Sequence, residues 1–406
     1  ITARNEVQTF ALVQSCSPIG VKQLTINLAS PSGGWCDPKS ILLSFMFKND
    51  STLLPILPST CGCHSLFSSL VVRMAGQEVE RIDNYARVCE LFSKVSYSPK
   101  KRSELCQIGF GTAAVGSAFP DDNAAHVPQQ IAHSTGKRCF MRLDLSAVAS
   151  QSKLLPLWAL SNSGIQLILT MAPAIDAVVT KPVNTYSEKY HLEDIRCLWD
   201  EVSLQNDLQE SYLSSMLQGS NLRLHLRAYE VHTNFLDANS AGNFSIAIQR
   251  SYTRLAAIFI IFSKSQVDTE VGSAKLTNTH YCPTASKDTM EYFVQVGAKK
   301  YPDNAVVGTK ESFYRMQRAV GIGDSLAHTG SISEADYESN SYVLAVDFEK
   351  AEGFISTGIN MSSGSVLQFH AKGFGSDAAT VPRICQTVCV FERLVEIADT
   401  AVSVFE

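Results

Sequence analysis

The chain sets out one series of landmarks twice, in the same order, within 406 residues. Each series begins with a strand pattern that ends on glycine: "LVVRMAG" closes on Gly76 and "EYFVQVG" on Gly297. An amphipathic helix pattern follows each glycine. Asp83 is placed to cap "NYARVCELFSKV", which sets Tyr85, Val88, Leu91, Phe92 and Val95 on one stripe. Thr309 is placed to cap "KESFYRMQRAV", with Phe313, Met316 and Val320 on one stripe and Gly321 as the stop.

Two matching strands come next, "RCFMRLDLSA" (138–147) and "SYVLAVDFEK" (341–350). Setting Asp144 on Asp347 puts Met141, Leu143 and Leu145 opposite Leu344, Val346 and Phe348. Strand side chains alternate faces, so both acids point away from the apolar face. "SGIQLIL" and "SGSVLQF" follow, with Gly164 on Gly364, Leu167 on Leu367 and Leu169 on Phe369. A long strand closes each series, at 189–202 and at 387–405. Asp144 and Asp347 therefore occupy the same place in two similar domains, on different cores, and are not a catalytic pair.

Most of the chain is short alternating runs broken by Gly, Ser, Asn and Pro, the pattern of an all-β sandwich or jelly roll. The expected fold is all-β: two tandem eight-stranded jelly rolls with a few short helices. The first roll takes residues 1–206 and the second 220–406. A helix at 207–219, "DLQESYLSSMLQ" ended by Gly219, joins them. The stretches 109–136 and 264–288, rich in polar and small residues, are expected as long surface loops.

Composition narrows the function. Charged residues make up 18% of the chain against 45% hydrophobic ones, so an unusual share of surface is expected to be covered. A net charge of −5 argues against general nucleic-acid binding. No stretch has the cationic flank and apolar run of a signal peptide, and the longest apolar run, "LAAIFIIF" (255–262), is too short to span a bilayer as a helix. Eleven cysteines is an odd count, and several sit inside strand patterns. They read as buried thiols of a protein folded inside a cell, without a disulfide framework.

The constellations that invite chemistry are weak. "TCGCHS" (60–65) gathers Cys61, Cys63 and His64 but has no downstream pair to complete a zinc site, so a tight turn before a strand is favoured. Cys385 and Cys389 read as buried on one strand face, about 13 Å apart. "GFGTAAVG" and "GIGDS" lack the strand-then-helix grammar of phosphate loops. "SPKKRSE" (98–104) is a short basic run in a solvated loop, with inner-face DNA contact as its alternative. The nine histidines are scattered without an H-x-H, and there is no G-x-S-x-G elbow. Asn49, Asn243 and Asn360 open N-x-S triplets that carry little without a signal peptide. Trp35, Trp158 and Trp199 are spread along the chain. No residue is assigned to catalysis, to a cofactor or to a metal.

Several passages resemble a known family: "LVVRMAGQEVERIDNYARVCELF" (70–92), "YHLEDIRCLWDEVSLQNDLQESYLSSMLQG" (190–219), "ISEADYESNSYVLAVDFEK" (332–350) and "VCVFERLVEIADTAVSVFE" (388–406). They are similar to the double jelly-roll major capsid proteins of double-stranded DNA viruses, particularly those of polinton-like viruses and virophages. Ser341 departs from the glycine that family often has before the tyrosine. The resemblance implies a non-enzymatic virion protein. Its homotrimeric, pseudo-hexagonal capsomers would tile an icosahedral shell around DNA, beside penton and minor capsid proteins. Weak inner-face contact with DNA is expected, no small-molecule substrate is, and assembly would occur inside the host cell. Two alternatives remain: a tandem jelly-roll protein that binds or cleaves glycans, and a minor capsid component.

Overall fold

The computed structural model describes residues 1–30, 33–59, 61–96, 108–111, 128–160, 163–179, 185–237, 242–263, 280–283, 288–321, 332–338, 341–349, 358–361, 365–375, 382–398 and 401–405. In the first half ten strands run in chain order: β1 (Ala3–Phe10), β2 (Ser15–Cys16), β3 (Gln23–Leu28), β4 (Trp35–Asn49), β5 (Phe67–Met74), β6 (Gln77–Asp83), β7 (Gly136–Arg142), β8 (Leu155–Pro156), β9 (Ile165–Met171) and β10 (Tyr190–Ser203). Helix α1 (Tyr85–Ser96) follows β6, and α2 (Asn206–Leu217) follows β10. The second half holds β11 (Leu222–Phe235), β12 (Phe244–Ile248), β13 (Leu255–Ser263), β14 (Glu291–Val296) and β15 (Lys299–Val307). After them come α3 (Gly308–Ala319), the single turn α4 (Glu334–Tyr337), β16 (Leu344–Asp347), β17 (Leu367–Lys372), β18 (Ile384–Ile397) and β19 (Val402–Phe405).

The two halves share one topology. Strand order is β1-β10-β4-β7 and β3-β9-β5-β6 in the first, β11-β18-β13-β16 and β12-β17-β14-β15 in the second. Every ladder is antiparallel, and among the described residues none joins the halves. Apart from the β5–β6 and β14–β15 hairpins and the short strands β2, β8 and β19, successive strands alternate between two sheets, which is the jelly roll, built twice. Each core lies between its sheets. Phe45 on β4 meets Phe67 on β5 edge to face at 6.1 Å, and Phe262 on β13 lies 6.5 Å from Phe369 on β17. Each fully buried Leu or Phe of this kind stabilises the fold by about 1.5–3 kcal/mol.

Local chemistry explains the edges and bends. β15 is a sheet edge, where Pro302 removes no ladder donor that the sheet needs. β10 bulges between Glu193 and Arg196. There Asp194 takes a φ of 49°, and its carboxylate and carbonyl both accept from Arg138.

The structure corrects the sequence alignment of the halves. Ala75 and Gly76 both have positive φ (49° and 81°) between paired Met74 and Gln77, whereas Gly297 (φ 59°) is the first turn residue after Val296. The glycines are one position out of step because the first hairpin needs positive φ at both central residues. Met74 pairs with Ile165 and Val296 with Leu367, so Leu367 is the counterpart of Ile165, and Leu167 that of Phe369. The alignment slipped by two residues, an even step that leaves every face unchanged and so escapes detection by apolar phase. Gly364 lies outside the described residues.

Other expectations change in detail. The closing strand at 387–405 is two strands, β18 and β19, folded back at Ala398 and Ala401. Thr309 is not the cap of α3. Its hydroxyl donates to Glu338 at 2.5 Å, while Glu311 accepts from the Val307 N–H at 3.0 Å. Asp83 gives its carboxylate to Arg81 at 3.0 Å. Gly321 does end α3, with φ 75°. Part of the stretch expected as a surface loop is core: Phe110 is fully buried against Phe47, and Ile131 bridges to Ile56. Residues 98–104, 112–127, 264–279, 284–287 and 322–325 lie outside the described residues, as does Cys106.

Candidate functional site

Four places gather chemistry-bearing side chains. The first two are the acids at the ends of matching strands. Asp144 follows β7 and pairs with Arg142 at 3.3 Å, in a cavity of about 240 Å³ lined also by Lys39 and Ser150. Asp347, at the end of β16, lines a separate cavity of about 120 Å³ with Tyr301, Arg315, Arg318 and Glu349. Burial pushes the Asp347 carboxyl up, against the Glu349 N–H, Arg318 and Arg227, which pull it down. The two cavities share no residue and lie in different rolls. Asp144 and Asp347 have no common substrate position.

The third place is a thiol–imidazole cluster beneath α1. Cys61 caps the short turn Gly62–Leu66 that leads into β5, and its thiol donates to the Ala86 carbonyl at 3.5 Å. His64 Nδ1 lies 3.2 Å from the Tyr85 hydroxyl. Cys89 stands one helical turn after Tyr85 on the same face. Burial would push the Cys89 thiol up, but hydrogen bonds from Cys61, His64 and Tyr85 and the nearby imidazole bring it down to about 6. The sequence had shown Cys61, Cys63 and His64 but missed Cys89, whose signal was its one-turn spacing from Tyr85. A thiolate beside an imidazole is chemically competent, yet Cys89 is 6% exposed and packs in the core. Among the described residues no three His, Cys, Asp or Glu side chains are set to hold a metal ion.

The fourth place is the junction of the rolls. A cavity of about 550 Å³ is lined by Trp35, Lys153, Pro156, Tyr212, Arg223 and Leu224, among others, and no carboxylate is in its lining. Trp35 meets Trp158 at 5.8 Å and Tyr212 at 5.2 Å, both edge to face. Two tryptophans that look scattered in sequence therefore converge, because β8 pairs with the start of β4. Trp199 is apart, buried in β10 with its Nε1–H donating to Thr9 at 3.0 Å.

Around this cavity the rolls are stitched together. Gln151 donates to the His225 carbonyl at 2.8 Å, and Arg393 of β18 donates to the Val79 carbonyl at 2.6 Å. Phe92 of α1 packs on Tyr229 and Phe259 at 5.1 and 5.2 Å. Glu80, buried on β6, accepts from Ser146 and from the Ala147 and Val148 N–H groups.

The remaining residues noted in the sequence have structural settings. Cys385 and Cys389 are fully buried in β18. Asn49 is 3% exposed and its amide donates to the Leu54 and Ala132 carbonyls; Asn243 accepts from the Gly373 N–H. His191 pairs with Asp50 at 2.6 Å, His232 with Tyr252 at 2.8 Å, and His370 stacks on Phe293.

Comparison with known proteins bears on these surfaces. Residues 47–212 match the family described as major capsid protein N-terminus. The whole chain superposes on PBCV-1 VP54, from a crystal structure fitted into a reconstruction of the virophage Sputnik. The TM-score is 0.67 at 10% identity, covering 100% of this chain and 96% of that one. The fold is a double jelly roll. The Sputnik virophage structure gives a TM-score of 0.60 at 9% identity, over 100% of this chain and 88% of that one. The Faustovirus major capsid protein gives 0.61 at 8%, over 98% and 90%. No curated protein sequence matches the chain.

In this double jelly roll, the cavity at the junction is bounded by the contact that holds one roll on the other. Its aromatic and aliphatic walls come from β4, α2 and β11.

Proposed function

We propose that this chain is the major capsid protein of a double-stranded DNA virus or virus-like element. Three copies form a pseudo-hexagonal capsomer of six rolls, and capsomers tile an icosahedral shell around the genome. One observation carries the reading: two rolls of identical strand order stand side by side in one chain, and the first matches the capsid-protein family over 47–212. The first roll spans 1–206, the connecting helix 207–219 and the second roll 220–406. Partners are neighbouring capsomers, penton and minor capsid proteins, with weak inner-face contact to DNA. The protein acts in the virion after assembly inside the host cell, and uses no catalytic residue, cofactor or metal.

Obligate subunit contacts bury about 2,000–5,000 Å², which accords with the low charged content. The glycan-cleaving alternative needs paired acids with exposed aromatics at one sheet face or at the junction, and the junction cavity, though aromatic, has no carboxylate in its lining. Light scattering on the purified chain, followed by electron microscopy, tests the reading. The expected result is a trimer or larger particles with hexagonal outline. A stable monomer that binds sugar would replace the capsid reading with that of a lectin.

A further inference from the structure

The cavity at the junction of the rolls, of about 550 Å³, falls inside the range of about 300–1,000 Å³ typical of small-molecule sites. Packed interiors leave few voids larger than one water, so a space of this size between two rolls already in contact can take a ligand. Its apolar lining comes from both sides of the junction. Leu208 and Tyr212 stand one turn apart on α2, and Leu224 and Ile397 belong to β11 and β18. Helix α2 is held loosely there. It buries Met216 alone, and Leu208 and Tyr212 are 47% and 38% exposed beside the cavity.

Two polar features stand in this apolar lining. Trp35 is 4% exposed, and its Nε1–H has no acceptor among the described residues. A buried donor without a partner destabilises the fold, and an acceptor on a molecule in the cavity would relieve it. The second feature is charge. Lys153 and Arg223 both line the cavity. Arg223 Nε donates to Glu396 at 2.7 Å, so that cation is already answered. Lys153 Nζ donates to the Arg223 carbonyl at 3.4 Å and meets no carboxylate among the described residues. The lining thus offers one unanswered positive charge and one unused N–H, with no carboxylate to repel an anion.

We propose that the junction cavity binds a single-chain aliphatic carboxylate. Its chain lies against Leu208, Tyr212, Leu224 and Ile397, and its head accepts from Lys153, with the Trp35 N–H as second donor. One cation and one N–H match the single charge and two oxygens of a carboxylate, whereas a phosphate dianion would keep charge unanswered. The cavity admits one chain and not the two of a membrane phospholipid. A ligand there touches both rolls and α2, and so stabilises the junction by mass action.

Calorimetric titration of the full chain with octanoate, decanoate and dodecanoate, each below its micelle-forming concentration, tests the site. The expected result is one ligand per chain, with affinity rising roughly 4-fold per added methylene. Dodecyltrimethylammonium, with the same chain and a cationic head, should bind at least about 10-fold more weakly. Lys153 is exposed, so Lys153→Glu should keep the melt of the free chain, weaken dodecanoate about 10-fold and favour the cationic probe. Trp35→Phe keeps an aromatic ring without the N–H and should weaken dodecanoate roughly 5-fold. Leu208→Glu, on the exposed helix, puts a carboxylate into the lining and gives a second route if Trp35→Phe disturbs the core. Absence of saturable binding would overturn the proposal, as would equal affinity for the carboxylate and ammonium heads. So would a Lys153→Glu chain that binds dodecanoate as the wild type does. None of these outcomes depends on the oligomeric state, which tests the capsid reading separately.

Discussion

Helices α1 and α3 follow the same strand in their respective rolls, and each carries a carboxylate–cation pair four residues apart. Glu90 and Lys94 on α1 lie 3.6 Å apart, each about 5% exposed; Glu311 and Arg315 on α3 lie 2.7 Å apart, 37% and 31% exposed. Burial would push the Glu90 carboxyl up, but Lys94, His280 of the second roll and Arg87 outweigh it and hold it down at about 2. A pair of the same spacing has become an internal electrostatic joint in one roll and a solvated surface in the other. What differs is what stands opposite: the second roll faces α1, and no described segment of the chain plays that part for α3.

The largest effect tests whether both rolls are cores in the same sense. Leu143→Asp places a charge in the first core, where Leu143 is 2% exposed, and Leu344→Asp does the same in the second, at 0%. Each should cost more than about 5 kcal/mol and abolish soluble protein, since uncompensated buried charge exceeds what a domain can spare. The neighbouring Asp144→Asn should leave assembly intact. If Leu344→Asp left the first roll folded in a proteolysis experiment, the rolls would be independent units.

Next comes the comparison of the pairs themselves. Lys94→Ala should destabilise the chain by about 3 kcal/mol, because it removes a buried partner. Arg315→Ala should cost at most about 0.5 kcal/mol, as exposed i, i+4 pairs do. Denaturant midpoints of both variants measure the difference. Equal midpoints would mean that α1 is not gripped between the rolls. The aromatic pair should behave alike: Phe92→Ala costs roughly 2–3 kcal/mol, Tyr314→Ala within about 0.5 in the isolated chain.

The smallest effect is in acid. Glu90's folded pKa of about 2 lies below its ordinary 4.5, so its stabilisation is present above about pH 4.5 and is lost as pH falls toward 2. Glu80 has the opposite sign. Burial raises it despite the donors from Ser146, Ala147 and Val148, so its contribution is greatest when protonated and declines as pH rises through its folded pKa. Stability profiles of Glu90→Gln against wild type between about pH 6 and about pH 3 should therefore converge at the acid end. Parallel curves would remove Glu90 from the joint.

Much of the fold was legible because strand alternation and turn residues are local. The two helices and the connecting helix ended by Gly219 follow from spacing within a few residues. The alignment error of two residues between β9 and β17 was invisible for the same reason: alternation reports a face and is blind to an even shift. Cys89 escaped because its partners Cys61 and His64 lie more than twenty residues away across a turn. The meeting of Trp35 with Trp158 depends on the pairing of β4 with β8, which no local pattern encodes.

By itself the sequence determined that this chain is a doubled β-sandwich, since period-2 apolar patterning repeated in order leaves few other ways to bury its strands. Tertiary structure alone decided which copy of each repeated face is covered. Burial of a half-apolar surface depends on the neighbour that meets it, and that neighbour is two hundred residues away along the chain.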